Sequence, residues 1–251
     1  MTMTARFQSD LLAQFRAAVA LDLDILALLH NAELDDATIA RLAEAGFPGE
    51  LGLQLESPAA GAALDLTRRA FAALEQPLGQ SARDELAADY AAIYLTYGYQ
   101  ASPCESVWLD QENLGMQAPM FQVRAFYRLF DRAAENWRMR PDDHLCLELQ
   151  FLAALLRDTH PEALPEAARF LDEHLLRWLP LFARRVTSRC ATPLYAGAAS
   201  LTEAYCEELR DLLAGVLGQP RPSSEEVESR MKPRTSHLPT LAYLPGSAPG
   251  W

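Results

Sequence analysis

Apolar residues recur at steps of three and four along most of this chain, which is the spacing of one face of an α-helix. The stripes that share this spacing are Phe7, Leu11, Phe15 and Val19; Leu86, Tyr90, Ile93 and Tyr97; Met120, Val123, Tyr127, Phe130, Ala134 and Trp137; Leu145, Leu149, Leu152 and Leu156; Leu164, Ala168, Leu171, Leu175 and Trp178; and Leu201, Tyr205, Leu209, Leu212 and Val216. No pair of β-branched runs flanks an Asn-Gly or Asp-Gly turn. The sequence therefore predicts an all-α fold, a single helical bundle.

Breaker residues predict where the helices begin and end. Ser81 is placed to begin one helix, close to a capping box, and Pro180 is expected to kink or end another. The segment 98–119 holds too many breakers for a helix and is long for a bundle connection, so we expect a functional loop there. We expect a helical domain over residues 1–218 and a Pro/Gly-rich tail over 219–251.

Charge and apolar content exclude several classes of protein. The 22 basic and 34 acidic residues leave a net charge of −12, which argues against a nucleic-acid binder. No apolar run approaches the roughly 18 residues of a membrane span, and the first residues lack the pattern of a signal peptide. We therefore expect a cytoplasmic protein without membrane insertion. Its four cysteines form no CxxC pair, and we expect them to be small core residues.

The common catalytic motifs are missing from the sequence. It contains no phosphate-binding GxxxxGK[ST], no GxGxxG after a strand, no GxSxG elbow and no HExxH zinc motif. We therefore expect no enzyme activity and no cofactor.

One acidic cluster stands out, Arg140-Pro-Asp-Asp-His-Leu-Cys-Leu-Glu148. With Asp142 as N-cap of a helix, Asp143 faces the positive end of the helix dipole, and His144 and Glu148 form a surface pair four residues apart. The same residue types ligate metals, although here they come from a single turn. They are also acceptors for the guanidinium groups of a basic peptide, which the net negative charge would attract. The residues alone leave these three interpretations open.

A second cluster, Pro103-Cys-Glu-Ser-Val-Trp-Leu-Asp-Gln-Glu112, lies in the long loop. Its apolar centre is either a plug packed on the bundle or the wall of a groove, where Trp108 offers a large rigid contact area. Tyr90 and Tyr94 precede the loop as candidate lining residues. Tyr97 and Tyr99 are left out of the predicted site, because an aromatic stripe at helical spacing is more often core.

At these two clusters the sequence resembles the TorD/DmsD family, chaperones dedicated to molybdenum-cofactor oxidoreductases. The motifs that carry the resemblance occur in the family's order over roughly residues 80–215: Tyr90-Ala-Ala-Ile-Tyr94, Ser106-Val-Trp-Leu-Asp110 with Glu112, Pro141-Asp-Asp-His144 followed by Glu148-Leu149, His174-Leu-Leu-Arg-Trp178 with Phe182, and Pro193-Leu-Tyr195. The N-terminal part and the tail carry no motif of the family. Ile93-Tyr94 stands where the family has Leu-Phe.

The resemblance implies an all-helical fold and a specific function. It implies binding of the twin-arginine signal peptide of a molybdoenzyme subunit, which keeps the apo-precursor from export until its cofactor is inserted. In that family the Asp and His of the Pro-x-Asp-His turn and the Trp loop are implicated in peptide binding, which corresponds to Asp143, His144 and Trp108 here. Members occur as monomers and as swapped dimers.

These observations give a hypothesis for the site with two alternatives. Asp142, Asp143 and Glu148 would hold the two arginines, and His144 would orient a carboxylate or contact the peptide backbone. The apolar section would lie along Trp108, Tyr90 and Tyr94. The alternatives are a small metal-dependent helical enzyme that uses the Asp142–Glu148 cluster, and a purely structural helical adaptor.

Overall fold

The computed structural model describes residues 3–134 and 140–232, with side chains from residue 10 onward. Within these ranges the chain forms α-helices and no strand, so the predicted all-α fold is confirmed. The helices are α1 (Met3–Asn31), α2 (Asp36–Glu44), α3 (Pro58–Ala72), α4 (Gln80–Tyr90), α5 (Glu105–Leu109), α6 (Ala118–Leu129), α7 (Leu145–Arg157), α8 (Ala163–Phe170), α9 (Leu176–Arg189), α10 (Pro193–Leu217) and α11 (Ser224–Met231). A π-helical turn, Ala91–Leu95, continues α4, and another, Leu171–Leu175, joins α8 to α9.

Helix α10 lies at the centre of the bundle and packs against α1, α3 and α9, while α1 also packs against α7. The core between these helices contains the largest fully buried aromatic side chains, which are Trp178, Tyr195, Tyr205, Phe170 and Phe182. Their burial removes a large apolar area from water, which is the main favourable term for folding. Helix formation here therefore follows the apolar stripes of the sequence.

Two buried polar groups link helices across this core. His30 on α1 shares hydrogen bonds with the Tyr94 hydroxyl at 2.6 Å and the Thr202 hydroxyl at 2.9 Å, and burial lowers the pKa of its imidazole to about 3. Asp22 accepts hydrogen bonds from the backbone N–H of Gly52 at 3.1 Å and from the Tyr205 hydroxyl at 2.7 Å. Both groups are buried with partners, as a polar group in a core must be.

The buried side of α10 departs from the predicted stripe. Leu201, Tyr205 and Leu209 are buried as expected, but Leu212 and Val216 are exposed, at 38% and 48% of their surface. The core face continues instead through Leu213, four residues after Leu209. Each step of four residues rotates the stripe by about 40° around the helix axis. The sequence pattern alone does not show toward which neighbouring helix the buried face rotates.

Two predicted helix boundaries are wrong. Helix α4 begins at Gln80 with Gly79 as its N-cap, and the Ser81 hydroxyl donates to the Glu85 side chain instead of capping the helix. Helix α9 continues through Pro180 to Arg189. Pro180 therefore does not end the helix, while the predicted kink stays a prediction. Pro180 is the fifth residue of α9, so its missing N–H falls near the start of the helix, which follows the π-helical turn.

The chain divides into two compact units, Met1–Arg221 and Pro222–Trp251. In the second unit, α11 begins with a capping box in which the Ser223 hydroxyl accepts from the Glu226 N–H and the Glu226 carboxylate accepts from the Ser223 N–H. This helix was not predicted. Residues 233–251, Trp137 and the side chain of Phe7 lie outside the described residues.

None of the described helices has the length and apolar character that crossing a lipid bilayer requires.

A close contact between α3 and α10 gives a prediction for stability. A Cβ at Gly197 would lie 2.9 Å from the Cα of Thr67, whereas a Cβ at Gly215, on the same helix, meets no atom within 4 Å. We expect Gly197→Ala to lower the free energy of unfolding by about 1–3 kcal/mol through overpacking. Gly215→Ala should raise it by up to about 1 kcal/mol through helix propensity. Urea denaturation measures both, and equal effects of the two variants would contradict this account of the contact.

Candidate functional site

The two clusters singled out from the sequence lie side by side in the structure. The backbones of Cys104 and His144 form an isolated antiparallel bridge. In it the N–H of Glu105 donates to the Asp143 carbonyl at 3.0 Å, and the N–H of Leu145 donates to the Pro103 carbonyl at 2.8 Å. The long loop and the Pro141–His144 turn are thus one structural element, although about 40 residues separate them in the chain.

Asp143 strengthens this connection with its side chain. One carboxylate oxygen, Oδ2, accepts from the Ser106 N–H at 2.8 Å and also from the Ser106 hydroxyl. The acceptor therefore lies at the first turn of α5, the helix that carries Trp108, where N–H groups lack partners within the helix. Asp143 is fully buried, and its other oxygen has no hydrogen-bond partner within the described residues.

Asp142 is not the N-cap of α7, so this prediction was wrong. Its carboxylate forms an ion pair with Arg124 on α6, with Oδ2 2.8 Å from Nε and 2.6 Å from Nη2. Its carbonyl accepts from the Tyr127 hydroxyl at 2.8 Å. The turn is thereby fastened to α6 as well as to α5.

His144 is the residue that caps α7, because its Nδ1 accepts from the Cys146 N–H at 3.2 Å. Burial, with the positive charge of Arg140 as a smaller cause, lowers the pKa of His144 to about 3, so the imidazole is neutral at pH 7 and can accept. The predicted surface pair of His144 and Glu148 was wrong. Both side chains are buried, and Glu148 accepts from the Trp178 indole N–H at 3.2 Å.

Three carboxyl groups are buried together beneath the loop, those of Glu105, Asp143 and Glu148. Burial raises the pKa of Asp143. Burial, followed by the negative charges of Glu105 and Asp143, also raises the pKa of Glu148 well above its ordinary value. The physical cause is that a low-polarity environment disfavours an ionised carboxylate, and neighbouring carboxylates disfavour it further. Asp143 and Glu148 therefore hold protons more strongly than exposed acids do.

The start of the loop is held by α4 and α9. The Tyr99 hydroxyl donates to Asp89 at 2.7 Å, and Arg189 donates to the Tyr99 carbonyl at 2.8 Å. Arg185 donates to the Gln100 carbonyl at 3.0 Å, and its guanidinium lies over the Trp108 ring at 5.4 Å from the centroid. The Trp108 indole N–H donates to the Ser102 carbonyl at 2.8 Å.

The outer side of this loop encloses a cleft of about 650 Å³. Its wall contains aromatic, apolar and uncharged polar side chains together with one arginine: Tyr97, Gln100, Ser102, Cys104, Val107, Trp108, Asn113, Gly115, Met116, Pro141 and Arg185. Large apolar side chains in and beside it are left unusually open to solvent, since Tyr97 is 47%, Leu114 49% and Met116 61% exposed. Exposed apolar patches of this kind mark binding surfaces.

The cleft contains only part of the predicted site. Trp108 lines it, and the turn reaches it through Pro141. Tyr90 and Tyr94 do not line it, because both lie in the core, where Tyr94 bonds to His30. Tyr97, which was left out of the predicted site, lines the cleft. It follows the end of the π-helical turn and has a positive φ of 53°, which takes it off the helical stripe.

A metal-binding interpretation finds no support in the geometry. Within residues 10–134 and 140–232, no group of three or more His, Cys, Asp or Glu side chains is arranged to hold a metal ion. The three acids and the one histidine of the Asp142–Glu148 cluster point to different partners, namely Arg124, Ser106, the α7 backbone and Trp178.

The fold and the cleft together describe an all-helical protein with a binding cleft beside a motif turn. A family model described as nitrate reductase delta subunit matches residues 61–184, which include the turn and most of the cleft. The chain is 34% identical over 138 residues to the chaperone protein TorD of Vibrio cholerae and 32% identical over 145 residues to that of Vibrio vulnificus. It is also 34% identical over 138 residues to the selenate reductase assembly chaperone of Thauera selenatis.

These matches cover 51%, 54% and 50% of this chain and 62%, 67% and 71% of the relatives, in the same order. The chain belongs to the TorD/DmsD family, and the three relatives named here are named as chaperones. It spans about 62% of the length of the Vibrio cholerae relatives that it matches.

The buried carboxyl cluster gives a prediction for pH dependence. Because the pKa of Glu148 is raised in the fold, its contribution to stability is complete below the ordinary Glu pKa of about 4.3 and is lost as the pH rises through the raised pKa. Glu148→Gln cannot ionise and keeps an acceptor for Trp178. Its free energy of unfolding should therefore fall less with rising pH than that of the wild type, by up to about 1.4 kcal/mol per pH unit.

Urea denaturation at a series of pH values from about 4 to 9 measures this difference. The matched control is Glu44→Gln, which changes an exposed carboxylate on α2 and should retain the wild-type pH dependence. Identical pH profiles for Glu148→Gln and the wild type would show that Glu148 ionises normally in the fold.

Proposed function

We propose that this protein is a system-specific chaperone which binds the twin-arginine signal peptide of a molybdenum-cofactor oxidoreductase subunit. Its binding would hold the apo-precursor in the cytoplasm for cofactor insertion and prevent premature export. The observation that carries the proposal is the apolar cleft beside Trp108, built from the family's two motif segments. A signal peptide of this class combines a pair of arginines with an apolar segment, and the cleft suits the apolar segment.

The cleft can receive an apolar segment without large rearrangement. Trp108 is held by the bond from its indole N–H to the Ser102 carbonyl and by the Arg185 guanidinium over the face of its ring. A rigid aromatic wall loses little entropy on binding, so more of the contact energy appears as affinity. Ordering a flexible peptide still costs free energy, and we expect a dissociation constant of order 1 μM, about −8 kcal/mol.

The arginine pair requires acceptors at the rim of the cleft. Glu112 is exposed, and its carboxylate makes no hydrogen bond or ion pair that the structure describes. Asp110 holds the loop by accepting from the N–H groups of Glu112 and Leu114 through one oxygen, which leaves the other for a ligand. We assign the contacts with the peptide arginines to these two carboxylates. Arg185, which lines the cleft over the Trp108 ring, repels a cation, so the arginines are assigned to carboxylates outside the cleft lining.

The acids of the Pro141–His144 turn then have a different role from the one predicted. Direct contacts of Asp142, Asp143, His144 and Glu148 with the peptide stay predictions, but their side chains are buried and bonded to protein groups. We propose that Asp142, Asp143 and His144 act by holding the loop in place. Burial raises the pKa of Tyr97 in the cleft wall, with the Cys104 thiol and Asp143 as smaller causes.

The cleft gives a prediction for affinity. We expect Tyr97→Ala and Trp108→Ala each to weaken binding of a peptide with two consecutive arginines and an apolar segment by about tenfold or more, because hot-spot aromatics carry most of the energy of a contact. Isothermal titration calorimetry measures the affinity, and circular dichroism checks the helix content.

The matched control is Phe121→Ala, which removes an exposed aromatic side chain of α6 outside the cleft and should leave the affinity unchanged. A wild-type protein that binds no such peptide would refute the proposed function. A partner that binds equally well without the arginine pair would favour a structural adaptor instead.

The rim carboxylate gives a separate prediction. Glu112→Gln should weaken the binding of the twin-arginine peptide by about two- to fivefold, which is the range of an exposed ion pair. The effect should be smaller at high salt. It should not change the affinity of a peptide whose two arginines are replaced by alanine. An equal loss for both peptides would place the arginines elsewhere.

A further inference from the structure

Trp108 lies on a helix, α5, that cannot fix its own position. It has only five residues, so its backbone hydrogen bonds are too few to stabilise it without tertiary contacts. Its neighbours are α6 and α9. Its first residue, Glu105, is fully buried, which is rare for a carboxylate unless it is paired.

The partner of Glu105 is His174, on the π-helical turn Leu171–Leu175. The His174 Nδ1 lies 3.1 Å from both carboxylate oxygens of Glu105. His174 is 1% exposed, so the pair is excluded from water. In such a low-polarity environment a hydrogen bond is strongest and breaking it is most costly.

The imidazole itself is held by aromatic packing. Its centroid lies 5.4 Å from that of Phe126, with the rings nearly perpendicular, and 5.1 Å from that of Phe170. Because the ring cannot turn freely, the direction in which Nδ1 meets Glu105 is set by α6 and α8. An apolar contact would bury the same area but would allow α5 to slide.

We infer that Glu105 and His174 are positioning residues of the cleft, whose buried hydrogen bond fixes α5 and thereby places the Trp108 indole in the cleft wall. Glu105 and Trp108 are three residues apart and belong to the same helical turn, so a shift of the first moves the second. The inference rests on the proposed function for the use of the cleft, but the position of Trp108 can be measured without a ligand.

The test is a double-mutant cycle read by the accessibility of Trp108. His174→Phe keeps an aromatic ring between Phe126 and Phe170 and removes the hydrogen bond. Glu105→Leu removes the acceptor, and Glu105→Gln keeps one. Acrylamide quenching of Trp108 is obtained by subtracting the signal of the same variant with Trp108→Phe, since the chain has three other tryptophans.

We expect the quenching constant of Trp108 to rise about twofold or more in His174→Phe and in Glu105→Leu. The double variant should show no more than the larger single effect, and Glu105→Gln should remain close to the wild type. If Glu105→Leu does not fold, His174→Phe and Glu105→Gln decide the question. Unchanged quenching in His174→Phe would overturn the inference.

A control separates positioning from general loss of stability. Asp22→Asn alters another buried carboxylate, which bonds to Gly52 and Tyr205 far from α5 in the chain, and should lower stability without changing the quenching of Trp108. An equal rise in this variant would also overturn the inference.

The same variants are then titrated with the synthetic twin-arginine peptide. His174→Phe should bind about five- to tenfold more weakly, and Glu105→Gln should bind like the wild type. If the wild type binds no peptide, the proposed function fails while the quenching data still decide the position of Trp108. If the wild type binds and His174→Phe binds equally well, the positioning role is refuted.

Discussion

The site depends on one short stretch of backbone pairing, in which residues 103–105 lie antiparallel to residues 143–145. Each segment leads into the first residue of a helix, Glu105 of α5 and Leu145 of α7, and has no regular structure before that residue. The pairing brings Asp143 to the start of α5, and the Asp143 carboxylate then accepts from both polar groups of Ser106. The cleft, Trp108 and the loop that carries them all follow from this connection.

Buried carboxylates give the connection its specificity. A carboxyl group loses most of its hydration in the core, so it remains there only with partners of suitable geometry. Asp143 has Ser106, Glu105 has His174, and Glu148 has Trp178. These bonds join the turn to α5, α5 to the π-helical turn Leu171–Leu175, and α7 to α9, and together they favour one arrangement of the loop. Apolar packing alone would allow several arrangements of nearly equal free energy.

Much of the fold could be predicted from the sequence because the apolar stripes of the helices are long. The buried stripe of α7, from Leu145 to Leu156, was predicted correctly, and all four of its leucines are fully buried. Side chains at helix ends were harder to place. Tyr97 continues the apolar spacing of α4, but its positive φ takes it out of the helix. In the sequence only the following residue, Gly98, indicates this change of backbone direction.

The candidate site could be predicted as a set of segments but not as a set of contacts. The motifs identified the turn and the loop, whereas the acids in them were expected at the surface because acids usually lie there. Their burial depends on bonds to Ser106, Arg124, His174 and Trp178. The two residues joined by each of these bonds are between 18 and 69 positions apart in the sequence. Sequence spacing within one helix carries no information on such partners.

The three buried carboxyl groups also affect which amino-acid substitutions stabilise the protein. Desolvated acids oppose folding, so this corner subtracts from the net stability that the aromatic core supplies. Proteins commonly accept such local costs where a particular geometry serves function, and stabilising substitutions there tend to impair activity. Variants selected only for heat resistance would accordingly accumulate neutral residues at positions 143 and 148, with the proposed chaperone role declining as the melting temperature climbs.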